Sequence, residues 1–352
     1  MNIELFDYDL PEELIAQEPS KGRDQCRLLI VDRENKTYED KMFYDIIDYL
    51  HKGDVLVRNN TKVIPARLFA VKDKTGAKVE VLLLKDLGGD VWECLCGNAK
   101  AIRVGTLLNF KDDIMIAECV KSLDEGIRHL HFNYDGIFLE ELDKIGLMPL
   151  PPYIHKQVED NNEYQTVYAK IEGSAAAPTA GFHFTNELLE KIKEKGVEIL
   201  DVTLNIGLGT FRPVKVKDTK DHVMHSETYV VSTKTAERLN LAKNEGRRIV
   251  AVGTTCVRTL EANFNKYDKF VAESSSTNMF IFPGYEYRAI DALITNFHLP
   301  KSTLIMLVSA FMGRKFTLSL YRHAVESRYR FFSFGDAMFI YGKYDYTKNI
   351  ED

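Results

Sequence analysis

Ser174–Pro213, SAAAPTAGFHFTNELLEKIKEKGVEILDVTLNIGLGTFRP, is the stretch on which the reading of the fold turns. Thr185 stands as a helix N-cap before Asn186 and Glu187, and Leu188, Leu189 and Ile192 fall on one helical face. Gly196 supplies the helix stop. Val197, Ile199, Leu200, Val202, Leu204 and Ile206 then make a nearly continuous apolar run, the pattern of a strand covered on both faces in an α/β sheet. The chain leaves that strand through Gly207-Leu208-Gly209-Thr210 towards Arg212, where missing side chains let a ligand or another backbone come close. A site is expected at this strand end.

Downstream the same theme repeats. A helix is predicted from about Thr235 to Glu245 and a strand over Ile249–Val252, after which Gly253-Thr254-Thr255-Cys256-Val257-Arg258 opens a helix. A further strand, Ala292–Thr295, runs through Asn296-Phe297-His298-Leu299-Pro300-Lys301 into a helix capped by Ser302. Upstream, LLIVDRENKTYEDKMF reads as two short strands about a polar turn, Asp45–Leu50 as helical, and Val55–Val57 as a buried strand. At Arg67 the period changes. RLFAVKDKTGAKVEVLLL reads as a hairpin turning at Thr75-Gly76, and VWECLC, GTLLNF, DIMIAECV and GIRHLHFNY add four short strands. Six such strands suggest a small barrel or sandwich, followed by a helical stretch near Leu139–Ile145. The expected fold is therefore an α/β main domain, residues 1–66 plus 148–352, with an inserted six-stranded, barrel-like all-β domain over 67–147. The proline-rich Met148–Ile154 brings the chain back in extended form.

At 352 residues two domains are the natural expectation, and 45% hydrophobic with 28% charged residues is the composition of an ordinary globular protein. The first residues are acidic and lack the pattern of a secretory signal, and the apolar run Leu304–Met312 is far short of a membrane span, so a cytoplasmic protein without a membrane partner is expected. Five scattered cysteines fit a reducing compartment. The net charge of -6 is uneven: residues 1–20 hold six acids and no Lys or Arg, whereas residues 301–330 hold Lys301, Arg314, Lys315, Arg322, Arg328 and Arg330 against Glu326 alone. That basic excess is a candidate nucleic-acid surface on an otherwise neutral body, though a solvated helix face explains it too.

Two strand-to-helix junctions share Thr, Asn, Gly and a base. A helix N-terminus offers free N–H groups to a carboxylate or phosphate, which suits Thr254, Thr255 and Arg258, and likewise Asn296, His298, Lys301 and Ser302. Plain capping explains either junction alone; together with the glycines at 207 and 209 they suggest one crevice at the strand C-terminal ends. His183 in Phe182-His183-Phe184 would, in a strand, face away from both phenylalanines, and His225 and Glu227 would share a face of another. Either histidine has the chemistry of a base near neutral pH. Cys94-x-Cys96 and His129-x-His131 evoke a zinc ligand set, but the spacing is wrong and alternation in a barrel produces such pairs, so no metal is expected. Gly207-x-Gly209 is not a dinucleotide fingerprint, because no third glycine and no helix follow.

Several segments taken together resemble one family: Ile64–Arg67, Pro149–Ile154, Tyr164–Ala169, Ala177–Phe184, Gly207–Pro213, Met224–Glu227, Val252–Thr255, Thr295–Ser302 and Tyr329–Phe332. The chain resembles, over essentially its whole length, the S-adenosylmethionine:tRNA ribosyltransferase-isomerases of queuosine biosynthesis. It departs from that pattern at Asn60, where the family usually has Asp, and at Asn205, where His is frequent. The resemblance implies an α/β domain with a β-barrel insertion. It also implies transfer of the ribosyl part of S-adenosylmethionine onto 7-aminomethyl-7-deazaguanine at the wobble position of tRNA, with release of adenine and methionine and no metal or redox cofactor. On that reading His183, with His225 as the alternative, is the expected base. Thr254, Thr255 and Arg258 are expected on the methionine carboxylate, and Arg212 and Asn296 on ribose or the deazaguanine. Thr179, Gly207, Gly209 and His298 complete the expected substrate contacts, and the six bases of 301–330 the tRNA contacts. A monomer is expected. An S-adenosylmethionine-dependent RNA methyltransferase, which would leave adenine attached, is the alternative enzyme; a non-catalytic RNA-binding module would need only the basic surface.

Overall fold

The computed structural model describes residues 1–156, 160–207 and 216–346. The first regular strands, β1 (Arg27–Asp32) and β2 (Thr37–Met42), form an antiparallel hairpin; a one-turn helix α1 (Ile46–Tyr49) leads to β3 (Val55–Asn59) and β4 (Thr61–Val63). Six strands follow, β5 (Arg67–Lys72), β6 (Lys78–Asp86), β7 (Val91–Cys96), β8 (Leu107–Phe110), β9 (Met115–Ser122) and β10 (Ile127–Tyr134), then α2 (Phe138–Ile145). The remainder runs β11 (Ile171–Ser174), α3 (Asn186–Glu194), β12 (Glu198–Leu204), β13 (Glu227–Val231), α4 (Thr233–Asn244), β14 (Ile249–Val252), α5 (Gly253–Tyr267), β15 (Glu273–Thr277), β16 (Ala292–Asn296), α6 (Thr303–Met312), α7 (Arg314–Glu326) and β17 (Ala337–Tyr341).

The main sheet has the order β15-β13-β12-β3-β14-β16-β17-β1-β2. Its centre, β12-β3-β14-β16, is parallel throughout, so the chain leaves all four strands at the same edge. Alternation sends side chains into two cores. Leu28, Ile30, Leu56, Val250 and Ile294 pack with Leu188, Leu189 and Ile192 of α3 on one face. Leu29, Val31, Val57, Val202 and Ala251 pack with α4, α5, α6 and α7 on the other. Burial on both faces explains the unbroken apolar runs of β1, β3, β14 and β16. In contrast, β12 alternates, with Leu200, Val202 and Leu204 buried and Ile199, Asp201 and Thr203 half-buried, so it is not covered equally on both faces, contrary to the reading of its sequence. Thr185 caps α3, its Oγ1 accepting from the Leu188 N–H at 3.1 Å, and Gly196 ends it at φ 88°.

The six inserted strands close into an antiparallel barrel, β10-β7-β6-β5-β8-β9, the last pairing with the first. The β5–β6 turn is where Thr75-Gly76 predicts it, with Gly76 at φ 65° and its N–H donating to Lys72 O at 2.9 Å. Entry and exit meet: the backbones of Arg67 and Leu147 exchange hydrogen bonds at 3.1 and 2.8 Å. Gly146 beside them cannot carry a side chain, since a Cβ would lie 2.1 Å from Pro65 O. Cys94 and Cys96 point into the barrel, while β10 pairs Arg128 with Cys94 and so turns His129 and His131 outward. The barrel wall separates the two pairs, and among the described residues no group of three or more His, Cys, Asp or Glu is placed to hold a metal.

One local expectation is corrected and one is extended. Phe182-His183-Phe184 is not a strand; Thr179–His183 is a 3-10 turn, wedged by Gly181 so tightly against Tyr168 that a Cβ would meet the phenol oxygen at 2.1 Å. The helix after Ser302 is two helices, broken at Gly313 (φ 90°) with a bend of 116°. Among the described residues no single helix is long and apolar enough to cross a membrane.

Candidate active site

Where β14 ends, the chain turns straight into α5 at Gly253, whose φ of 85° disfavours any side chain. A Cβ there would also touch Ala180 Cβ at 3.4 Å. Val252 provides no side-chain cap, so the first N–H groups of a 15-residue helix stay available. They border a cavity of about 280 Å³, into which the exits of β12 (Ile206) and β16 (Thr295, Asn296, His298) also open. Ala177–Ala180 forms one wall, Leu299–Ser302 another, and Tyr153, Phe332 and Ser333 a third. The crevice expected at the strand ends is thus present, and Thr179, Thr254, Thr255, Asn296, His298 and Lys301 border it together.

Its polar groups are fixed from behind. Asn296 Nδ2 donates to His183 Nε2 at 3.0 Å and to Phe332 O at 3.2 Å, while Asn296 Oδ1 accepts from Thr179 Oγ1 at 3.3 Å. With Nε2 an acceptor, His183 carries its proton on Nδ1, 3.1 Å from Cys26 Sγ. His298 Nε2 lies 2.9 Å from Thr295 Oγ1, and the His298 backbone is held by Tyr321 and Tyr8. Burial pushes both imidazoles down to about 3, aided at His183 by Arg23 and Arg330, so both are neutral at physiological pH. Burial also raises the Cys26 thiol, leaving it unionised. Thr255 Oγ1 is the exception: it is buried and, apart from a weak contact with the neighbouring Cys256 thiol, makes no hydrogen bond among the described residues. A buried hydroxyl without a partner is what a ligand atom would complete.

The other expected residues lie elsewhere. His183 does not border the cavity; Asn296 stands between. His225 is exposed ahead of β13 while Glu227 is buried, so the two do not share a face. Arg258 is buried behind the cavity, its guanidinium engaged by Glu227 and by the carbonyls of Met279 and Thr277 at 3.3 and 3.4 Å. It braces α5 against β13 and is not presented to a ligand carboxylate. Glu227 also accepts from the Gly207 N–H at 3.1 Å, and Gly207 borders a second cavity instead. Gly209 and Arg212 fall outside the described residues. Asn60 Oδ1 accepts from Thr203 Oγ1 at 2.6 Å, tying β3 to β12, and Asn205 Oδ1 accepts from Thr61 Oγ1 at 2.7 Å.

The basic stretch is largely answered by the acidic N-terminal segment. Lys301 pairs with Asp7 and Glu4 at 2.9 and 3.0 Å, Arg328 approaches Glu13 at 3.9 Å, and Arg314 donates to Leu5 O at 3.3 Å. Arg330 is spent on Ser20 Oγ at 2.9 Å and on Glu18 O. Lys315 and Arg322 stand exposed on α7. Counting charge along the sequence could not show that residues some 300 positions apart cancel. The wall residues Tyr153, Phe332 and Ser333 were not singled out as contacts. The signal for Tyr153 and Phe332 lies in Pro149–Ile154 and Tyr329–Phe332, which stand out by resemblance and carry no chemistry of their own, and Ser333 follows the second directly.

The model of the queuosine biosynthesis protein family matches residues 3–340. Curated relatives from Staphylococcus aureus strains JH9 and Newman, both named S-adenosylmethionine:tRNA ribosyltransferase-isomerase, are 58% identical over 340 residues, covering 97% of this chain and all of theirs. The crystal structure of an S-adenosylmethionine tRNA ribosyltransferase from Thermotoga maritima is 40% identical, with a TM-score of 0.55 over 96% of this chain and 99% of that one. Sequence and fold agree: this chain belongs to the queuosine biosynthesis family of S-adenosylmethionine:tRNA ribosyltransferase-isomerases and is a transferase and isomerase.

Proposed function

We propose that this protein moves the ribosyl part of S-adenosylmethionine onto 7-aminomethyl-7-deazaguanine at the wobble position of a tRNA, isomerising it to epoxyqueuosine with release of adenine and methionine. The observation that carries this reading is the strand-end cavity of a chain in this family: small-residue walls, the neutral His298 imidazole and a helix N-terminus without a side-chain cap, beside a threonine hydroxyl with no hydrogen bond among the described residues. A sulfonium nucleoside with a carboxylate at one end suits it. The carboxylate would lie on the Thr254 and Thr255 N–H groups and Thr255 Oγ1. Asn296 and Thr179 would orient the ribose, with His183 acting through Asn296 as a positioning residue.

The sulfonium acidifies the adjacent ribose methylene, so a base can take a proton there. Adenine leaves with its bonding pair as the ribose opens, the aminomethyl nitrogen attacks and loses a proton, and methionine leaves as the epoxide closes. Arg212 remains a proposed contact to ribose or base. We further propose that the protein acts as a cytoplasmic monomer.

The test is chromatographic detection of free adenine and methionine after mixing protein, S-adenosylmethionine and tRNA carrying 7-aminomethyl-7-deazaguanine. Unmodified tRNA is the control. Both products should appear only with the modified tRNA; S-adenosylhomocysteine instead would make this a methyltransferase.

A further inference from the structure

A second cavity, about 550 Å³, lies where the barrel meets the main sheet. Its barrel side is made by the end of β6, the Gly88–Asp90 loop, Trp92 and the start of α2; its sheet side by Glu172, Asn205, Gly207 and Ser226–Thr228. Ile206 borders the strand-end cavity and Gly207 this one, so the two are one residue apart across the exit of β12.

The lining has a flat apolar part and a charged part. Trp92 and Phe138 stack with centroids 5.3 Å apart and planes at 16°. Four carboxylates face one lysine, Lys85. Glu172 is neutralised by Lys62 at 2.8 Å and Glu227 by Arg258. Asp86 and Asp90 accept only from neutral donors, the Gly88 N–H at 2.8 Å and the Tyr134 hydroxyl at 2.5 Å, and neither has a cation at ion-pair distance among the described residues. The Tyr134 phenol is held up at about 12, first by that hydrogen bond to Asp90. Such a place suits a planar ring that carries a cation.

We infer that the junction cavity seats the acceptor base, its planar ring against Phe138 and the rim of the buried Trp92, and its primary amine on Asp86 and Asp90, docking as the ammonium and giving one proton to a carboxylate before the nitrogen attacks. This rests on the ribosyl-transfer reading, which requires an amine-bearing base, and it gives the barrel a direct part in substrate choice. Donor and acceptor then meet across Ile206-Gly207. Both aspartates are exposed at a loop, so replacing them spares the core.

The test compares binding of two anticodon stem-loops, one with 7-aminomethyl-7-deazaguanine and one with guanine at the wobble position, to the full-length protein and to the double variant Asp86→Asn/Asp90→Asn. The full-length protein should prefer the amine-bearing stem-loop by about tenfold or more, as a charge-assisted hydrogen bond allows. The variant should lose that preference while keeping its affinity for S-adenosylmethionine and its Tm. A preference that survives in the variant, or is absent from the unaltered protein, overturns the inference. Because binding needs no turnover, a protein that discriminates yet releases no adenine would overturn the ribosyl-transfer reading alone.

Discussion

The strand-end cavity and the junction cavity share the exit of β12 but differ in what builds them. Among the described residues the first is walled by the main domain, with neutral polar groups, small residues, a helix N-terminus and one cation, Lys301, at its rim; the second is walled by two domains and carries aspartates with no cation at ion-pair distance. Backbone dipoles held by rigid elements favour an anion without burying a formal charge. Side-chain carboxylates on an exposed loop favour a cation and can adapt to it. The difference teaches that this fold keeps its two electrostatic demands in separate compartments. The buried Arg258–Glu227 pair, reaching from α5 to the Gly207 N–H, braces the partition.

That brace offers the largest effect. Arg258→Met removes the guanidinium from a buried ion pair, for which a loss of about 3–5 kcal/mol is expected from denaturant unfolding. The double variant Arg258→Met/Glu227→Met should recover most of it, as apolar replacements of buried ion pairs do. A single variant as stable as the parent would mean that nothing couples the cavities through this pair.

The neutral character of the first cavity predicts a stability profile. His183 and His298 titrate near 3 when folded and near 6.5 when unfolded, so between those values the unfolded chain binds more protons. Their stabilisation is fully present above pH 6.5 and is lost as pH falls towards 3, by about 1.4 kcal/mol per pH unit for each. Thermal unfolding between pH 7 and 5 should show this slope, and His298→Gln should about halve the histidine part. A flat profile would put charged imidazoles in the folded protein and break the contrast.

Thr255→Val sharpens the same contrast at smaller cost. The hydroxyl has no sound partner among the described residues, so its loss should leave Tm unchanged or slightly raised. If it completes the carboxylate site, S-adenosylmethionine affinity should fall about tenfold, or about 1.4 kcal/mol, by calorimetry. Unchanged affinity would remove Thr255 from the site.

What was legible in the sequence follows from how local each signal is. The strand pattern, the Thr185 and Ser302 caps, the Thr75-Gly76 turn and the six-strand insertion are set within a few residues, and all appear. The strand-end crevice followed from topology, because parallel strands bring Ile206, Gly253 and Asn296 to one edge whatever lies between them. Side-chain roles did not follow. Arg258 sits in the right helix but is claimed by Glu227 on β13, and His183 lies one residue behind the cavity because a 3-10 turn rotates it away from the strand geometry its neighbours suggested. The junction cavity was invisible, since its aspartates come from a barrel loop and its opposite wall from strands more than 80 residues later.

The smallest effect concerns the surface on which tRNA phosphates would rest. Lys301 is already paired with Glu4 and Asp7, whereas Arg322 is exposed on α7. A cation held by carboxylates releases few counterions when a phosphate arrives, because the acids compete for it. Arg322→Ala should therefore lower the slope of log affinity for tRNA against log salt by about one, whereas Lys301→Ala should leave that slope nearly unchanged. Equal changes for the two would mean that the acidic N-terminal segment lifts away from Lys301 when tRNA binds. Glu4→Gln would then tighten binding, and its neutrality in the same titration would return the phosphate contact to α7.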